Sequence, residues 1–308
     1  MSVVLVALLP IIIILLIGKV MASTQVLSAE GWIGLERVTY FLLFPALIVS
    51  KLAVADFAQI DWRMPVVLVA AQISLSLVSF LIAHVLRVPR AHIGVYIQSA
   101  ARWNTFIALA LANEILGTSG VALVALAATV MIPIANLISV SALMRFADAD
   151  MTVQQLVQQV AINPLVIACA LGIGLNLSGV QIPGQAMHVL DLLGQATIAL
   201  GLLATGAAVR GRGAVVSAQW LVFWSALRLI GLPVIAVLLG LALQLSPQIL
   251  LVVLISTAVP TAANGTILAR QLGADANLAA NLIANQTVLA LLTIAAGFWI
   301  FDAFAIWP

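Results

Sequence analysis

Long apolar runs separated by short polar turns follow one another along this chain, and no other feature limits its fold as strongly. A helix that crosses a bilayer needs about 20 mainly apolar residues, and ten runs approach that length. They are Val3–Val20, Val38–Val54, Met64–Leu86, Ile93–Leu116, Val121–Met144, Ala161–Leu177, Met187–Val209, Ala218–Leu243, Pro247–Ala269 and Leu278–Phe301. The sequence therefore predicts an all-α membrane protein with ten transmembrane spans and no sizeable extramembrane domain.

The composition excludes several functional classes. Of the 308 residues, 64% are hydrophobic and 7% are charged, whereas a soluble domain has about 25% charged residues. The net charge of +2 is too small for nucleic-acid binding, so we expect no nucleic-acid partner. The single cysteine, Cys169, excludes a disulfide framework and a multi-cysteine metal site. Because no metal spacing, nucleophile motif or phosphate-binding loop occurs, we expect neither an enzyme nor a bound cofactor.

The lysines and arginines between the spans predict the orientation. Positively charged loops stay in the cytoplasm. Eight basic residues follow odd-numbered spans: Lys19, Arg37, Arg87, Arg90, Arg145, Arg210, Arg212 and Arg270. Only Lys51 and Arg63 follow even-numbered spans. Both termini are then periplasmic, in agreement with an even number of spans. Since Val3–Val20 has no basic segment before it, we expect a retained first helix and not a cleaved signal peptide.

A weak internal repeat divides the ten spans into halves of five, residues 1–150 and 151–308. Pro10 and Gly18 match Pro164 and Gly172 at an offset of 154. Five further matches have an offset of 156: Thr105, Leu116, Gly117, Leu126 and Ala128 with Thr261, Leu272, Gly273, Leu282 and Ala284. Because five is odd, the second half must be inverted, as in many secondary transporters.

Polar clusters near the middle of the fourth and ninth spans predict the binding site. Pro260 removes a backbone donor and should break the ninth span, and Asn104 occupies the equivalent place in the fourth. Interrupted helices that meet at mid-membrane point amino ends at one spot, where anions bind. The predicted substrate-binding residues are Asn104, Arg102, Thr105, Pro260, Thr261, Asn264, Asn285 and Gln286.

Two arginines lie inside predicted spans, where a charge is costly. Arg102 lies about 15 Å from the end of its helix, too deep to reach water easily. We expect it to contact an anionic substrate or, as the alternative, to cap carbonyl groups of the broken helix. We interpret Arg228 as structural, and Asn136 as an amide that joins helices.

Several segments resemble the auxin efflux carrier family, in its bacterial branch. Residues Arg102–Leu111 and Gly117–Ala122 are similar to the family's fourth helix and the turn that follows it. Residues Val259–Ala262 and Ile267–Gly273 resemble its ninth helix. Two shorter matches, Phe44–Leu47 and Asn163–Leu165, resemble the second helix and the start of the sixth.

This resemblance implies a fold of two inverted five-helix repeats, as in bile-acid transporters and sodium/proton antiporters. Spans 1, 2, 6 and 7 would form a scaffold, and spans 3–5 and 8–10 a moving transport domain. Relatives include plant PIN auxin carriers and bacterial carriers of malonate or malate. The family motif carries over to Asn104 and Pro260. The chain departs from it at Leu111, where many members have proline, and in span 3, which lacks the acidic residue of plant carriers.

We therefore expect a secondary transporter of small organic anions in a bacterial inner membrane, with the lipid bilayer as its other partner. A homodimer, if one forms, is expected to use the scaffold helices. Two alternatives stay open: a sodium-coupled symporter of bile-acid type and a receptor without flux. Sodium coupling needs oxygen ligands, and Glu114 is the single acid in spans 4, 5, 9 and 10. Substrate identity, direction and coupling ion are not defined by the sequence.

Overall fold

The protein is helical throughout the part of the chain that its computed structural model describes, residues 2–55, 61–147, 162–209 and 216–304. The helices are α1 (Ser2–Ser23), α2 (Ala29–Leu52), α3 (Arg63–Val85), α4 (Arg90–Ala101), α5 (Thr105–Ala147), α6 (Pro164–Ser178), α7 (Gly184–Ala208), α8 (Ala218–Ala242), α9 (Pro247–Ala258), α10 (Gly265–Gln271) and α11 (Ala276–Ala303).

Seven segments of the described chain are long and apolar enough to cross a bilayer. One of them, Arg90–Ala147, contains both α4 and α5, while α6 and α9 are shorter apolar helices. Each of the ten apolar runs overlaps at least one helix. The prediction of a multi-pass, all-α membrane protein is confirmed.

The helix bounds correct the start of one predicted span and agree with the predicted turn between two others. Helix α2 begins at Ala29 and not at Val38, because the Ser28 side chain accepts a hydrogen bond from the Gly31 N–H at 3.0 Å and starts the helix earlier. Glu36 and Arg37 therefore lie within a helix and not in a loop. Helix α5 consists of two helical segments joined by a sharp, non-helical bend at Gly117 (φ 63°, ψ −150°), which lies inside the turn predicted at 117–120 between the fourth and fifth spans.

Two predictions concern residues outside the described ranges. Arg210 and Arg212 of the orientation argument are among them, and so is the boundary between the halves at residues 150 and 151.

Capping residues and prolines explain where several helices begin or widen. Asn163 caps α6 by accepting from the Leu165 N–H at 2.9 Å, and Pro164 occupies the first helical position, where no donor is needed. Two five-residue π-helical turns, Thr39–Leu43 in α2 and Leu227–Gly231 in α8, precede Pro45 and Pro233. Proline cannot donate to the carbonyl four residues earlier, which favours the wider turn.

The helices pack as two groups. Helices α1, α2, α6 and α7 pack on one another, and α3, α4, α5, α8, α9 and α11 form the second group with α10. Small residues allow α1 and α7 to touch closely: a Cβ atom added at Gly18 would overlap the Leu203 carbonyl oxygen, and one added at Gly206 would overlap that of Leu15. Helix α5 contacts α1, α2, α6 and α7, and so joins the two groups.

Candidate substrate site at the helix crossover

Two helices are interrupted at the positions that the sequence predicts. Helix α4 ends at Ala101, the backbone of Arg102 is extended (φ −80°, ψ 153°), and α5 begins at Thr105. Helix α9 ends at Ala258, Val259 is extended (φ −73°, ψ 154°), and α10 begins at Gly265. The break next to Asn104 needs no proline, and it is shorter than the break at Pro260. We call residues 102–104 and 259–264 the crossover.

Asn104 fastens the two interruptions together. Its backbone N–H donates to the Pro260 carbonyl at 2.7 Å, which is the direct backbone link between them. Its side-chain Oδ1 accepts from the Ile107 N–H at 3.2 Å and caps the first turn of α5. Its Nδ2 donates to the Thr205 hydroxyl of α7 at 3.1 Å, so Asn104 also links the two helix groups. Its side-chain atoms are therefore engaged, and Asn104 is a positioning residue as well as part of the cavity wall.

Buried amide side chains satisfy the backbone groups that the interruptions leave free. Gln286 of α11 accepts from the Thr261 N–H at 2.9 Å and donates to the Ser99 hydroxyl at 2.6 Å, so one side chain holds both broken helices. Gln98 donates to the Gly265 carbonyl at 2.8 Å, and Gln72 of α3 donates to the Ala101 carbonyl at 2.6 Å. An unpaired buried amide or carbonyl costs about 1–3 kcal/mol, so these contacts keep the crossover ordered.

Arg102 presents its guanidinium at the crossover. Nη1 donates to Oδ1 of Asn136 at 3.1 Å, and Nη2 donates to Oδ1 of Asn264 at 2.9 Å. Both acceptors are neutral amides, and within the described ranges no carboxylate lies within ion-pair distance. Nε is buried without a partner there. A guanidinium has five N–H donors in a planar fork that suits a carboxylate. Arg102 therefore has positive charge and donors left for a bound anion.

Arg228 lies behind the crossover and not in the cavity wall. It is 1% exposed and belongs to the π-helical turn of α8. Nη1 donates to the Thr257 carbonyl at 2.7 Å, and Nε donates to the Arg102 carbonyl at 3.3 Å. These carbonyls lie at the carboxyl ends of α9 and α4, where the helix dipole favours a cation. The interpretation of Arg228 as structural agrees with these contacts.

A cavity of about 90 Å³ lies in front of the crossover, between the two helix groups. This volume holds several water molecules, each of which needs about 10–15 Å³ on the same measure. The polar side chains in its wall are Glu36, Thr39, Tyr40, Arg102, Asn104, Thr105, Asn136, Thr205 and Asn264. The apolar part includes Phe44, Phe106 and Leu165, so the wall combines a few polar groups with apolar surface, as small-molecule sites do.

The predicted site residues fall into three sets. Arg102, Asn104, Thr105 and Asn264 line the cavity. Pro260 and Thr261 belong to the crossover but do not line the cavity, and Gln286 of α11 accepts from the Thr261 N–H behind it. Asn285 lies apart from both: its Nδ2 donates to the Ser225 hydroxyl at 2.8 Å and to the Leu221 carbonyl at 3.2 Å, which joins α11 to α8.

Sequence reasoning missed several cavity residues. Glu36 and Tyr40 lie on the part of α2 for which the sequence predicts a loop and the beginning of a span, and the capping residue Ser28 is the signal that indicates the longer helix. Thr205 of α7 carries no local signal, since its role depends on packing against Asn104.

Comparison with known proteins identifies the family. A family model described as membrane transport protein matches residues 149–300, which include α6 to α10 and most of α11. The match contains the Pro260 interruption and the residues of α7 that line the cavity. No curated protein matches the chain. The chain thus belongs to the auxin efflux carrier family and is a membrane transporter of that type.

Proposed function

We propose that the protein is a secondary transporter that moves small organic anions by alternating access. Carboxylates such as malonate, malate or auxin-like acids form the expected substrate class. One observation carries the proposal: the Arg102 guanidinium lines the cavity, is held by two neutral amide oxygens and keeps free donors. A bound carboxylate supplies the charge that this arginine lacks.

The first turn of α5 supports an anion at the same place. Thr105 and Phe106 begin this helix and line the cavity beside Arg102. The amino end of a helix carries free N–H groups and a partial positive charge, both of which favour anions. We place the carboxylate between the Arg102 guanidinium and this helix end.

The proposed architecture is ten spans in two inverted repeats of five. Helices α4 and α9 support it, since each has 12 residues, ends in an extended residue and is followed after a gap by another helix. In this scheme α1, α2, α6 and α7 are the scaffold, and the group of α3–α5 and α8–α11 moves against it. Asn104 and Thr205 join the two across the site.

The cavity wall indicates which side of the membrane has access in this state. Leu165 belongs to the first turn of α6, and Thr205 to the last turn of α7, so both mark the same face of the membrane. The proposed orientation, with basic loops in the cytoplasm and both termini outside a bacterial inner membrane, makes this face cytoplasmic. The structure then corresponds to a cytoplasm-facing state.

Arg228 argues against the sodium-coupled alternative. A sodium site needs several oxygen ligands free to bind a cation. The Thr257 and Arg102 carbonyls at the carboxyl ends of the broken helices already accept from the Arg228 guanidinium. A sodium ion beside this fixed charge would be repelled.

A thermal-shift screen of purified protein followed by liposome uptake tests the proposal. Malonate, malate and indole-3-acetate are the probes, with the uncharged amide of each acid as its control. We expect at least one acid to raise the melting temperature and its amide to have no effect. The same acid should accumulate in proteoliposomes. Binding without uptake would favour a receptor, and uptake that requires sodium would favour the sodium-coupled alternative.

A further inference from the structure

We infer that Glu36 is the proton-binding group of this transporter and that one proton moves with each monocarboxylate. The inference rests on the proposed function, since it concerns the same cavity. It assigns a coupling ion and a residue that binds it.

Glu36 is a carboxylate without a partner in the cavity wall. It lies on α2, half-buried, and its side chain has no hydrogen bond or ion pair with any described residue. No other acidic residue lines the cavity in the part of the chain that the structure describes. A carboxylate that was only structural would be expected to have a donor close by, because an uncompensated charge at a half-buried place is costly.

None of the other titratable groups of the described helices around Glu36 forms a hydrogen bond or an ion pair with it. Tyr40 and Arg102 share the cavity, and the two described amide contacts of Arg102 involve Asn136 and Asn264. Among the helices that pack against α2, α7 carries Asp191, which pairs with Lys51 at 3.0 Å near the far end of α2. The remaining titratable groups of these helices are outside the cavity wall: His188 of α7, Cys169 of α6, and Glu114 and Arg145 of α5.

The charge of the cavity gives the stoichiometry. Arg102 and Glu36 are the cationic and the acidic side chain of its wall, so the empty cavity has a net charge of zero when Glu36 is ionised. A monocarboxylate that binds Arg102 makes the net charge −1. A proton on Glu36 returns it to zero. The empty carrier and the carrier with one monocarboxylate and one proton are therefore both neutral.

Neutrality matters because the cavity must close during transport. When the two helix groups move and exclude water, a net charge loses its hydration, which costs several kcal/mol. The two neutral forms of the carrier have no such desolvation cost and change conformation readily. The carrier that holds an anion beside an ionised Glu36 has this cost and does not. On the open side Glu36 takes a proton from water as the anion binds, and on the other side the proton and the anion both leave.

Calorimetry of indole-3-acetate binding in two buffers with different heats of ionisation tests the inference. From about pH 6 to about pH 9 this acid stays ionised, so any proton taken up goes to the protein. The wild type should take up one proton per acid bound at the upper end of this range. There its affinity should fall by up to about tenfold per pH unit. Glu36→Gln should bind the acid with no proton uptake and no pH dependence.

Two further variants distinguish a specific loss of proton uptake from a general loss of folding or binding. Glu30→Gln removes an exposed acid from the same helix, outside the cavity wall, and should behave as the wild type. Glu36→Asp keeps a titratable group and should retain proton uptake, even if its affinity changes.

Proton uptake that is the same in Glu36→Gln and in the wild type would overturn the assignment of Glu36 and leave the proposed function intact. Absence of proton uptake in the wild type would overturn proton coupling as a whole. If neither indole-3-acetate nor malonate binds the wild type, the proposed function fails and the inference fails with it. If Glu30→Gln loses proton uptake to the same extent as Glu36→Gln, the assignment of Glu36 is also overturned.

Discussion

Replacing Gln286 with methionine should weaken anion binding although Gln286 does not line the cavity. Its side chain accepts from the Thr261 N–H at 2.9 Å and donates to the Ser99 hydroxyl at 2.6 Å, and it is 0% exposed. Methionine has a similar length and no amide, so the variant keeps the packing and removes both contacts.

The size of the effect follows from the group that is left unpaired. The Thr261 N–H would lie buried without an acceptor, which costs about 1–3 kcal/mol. If this cost falls on the ordered crossover, the ratio of the binding-competent to the disordered arrangement falls about 5- to 150-fold. The apparent dissociation constant rises by up to the same factor, which is reached when the competent arrangement is the minor one.

Asn285 provides a matched control one residue away on the same helix. Its amide donates to Ser225 and to the Leu221 carbonyl of α8, away from the crossover. Asn285→Leu should lower the melting temperature, because partly buried hydrogen bonds are lost, but should leave anion affinity within about threefold of the wild type.

Isothermal calorimetry measures the dissociation constant of both variants for the acid that stabilises the wild type. The account requires a rise of at least about fivefold in the dissociation constant of Gln286→Met relative to Asn285→Leu. Equal affinities in the two variants would refute the argument that Gln286 holds the crossover in its binding arrangement.

Two further predictions concern glycines at close helix contacts. Gly18→Ala should destabilise the protein by about 1–3 kcal/mol, because the new Cβ overlaps the Leu203 carbonyl, whereas Gly174→Ala, with open space around it, should not lower the melting temperature. Gly201→Ala should displace the Phe106 ring, which a Cβ at Gly201 would overlap, and should weaken anion binding, with partial recovery in the double variant with Phe106→Leu. A melting temperature of Gly18→Ala equal to that of the wild type, or additive effects in the double variant, would contradict these expectations.

Local signals in the sequence predicted the interruptions correctly. Pro260 cannot donate a backbone hydrogen bond, and the break from 259 to 264 follows from this. Asn104 caps the next helix through its own side chain, which also needs only neighbouring residues. Such features depend on a few consecutive residues and can be read without knowing the packing.

The partners across the site could not be predicted in the same way. Arg102 is held by Asn136 and Asn264, which are 34 and 162 residues away along the chain. Asn285 and Gln286 are adjacent and chemically alike, yet Asn285 bonds to α8 and Gln286 bonds to the crossover. The rotation of α11 about its axis decides which neighbour each of the two side chains contacts. A single sequence does not specify this rotation.

Glu36 was missed for a different reason. The charged pair of Glu36 and Arg37 interrupts the apolar run, so the sequence predicts a second span that begins only at Val38. The structure shows a helix that begins at Ala29 and carries Glu36 into the cavity wall. A charged residue inside a membrane helix lowers its hydropathy at the very place where function needs it.

Uptake of a radiolabelled carboxylate into proteoliposomes by wild type, Arg102→Gln and Asn104→Ala tests the central claim most directly. Arg63→Gln is the control, since Arg63 pairs with Asp61 at 2.6 Å outside the cavity. The account predicts that the Arg102 and Asn104 variants lose saturable uptake while the control retains it. Transport at the wild-type rate by both cavity variants would show that the crossover is not the binding site.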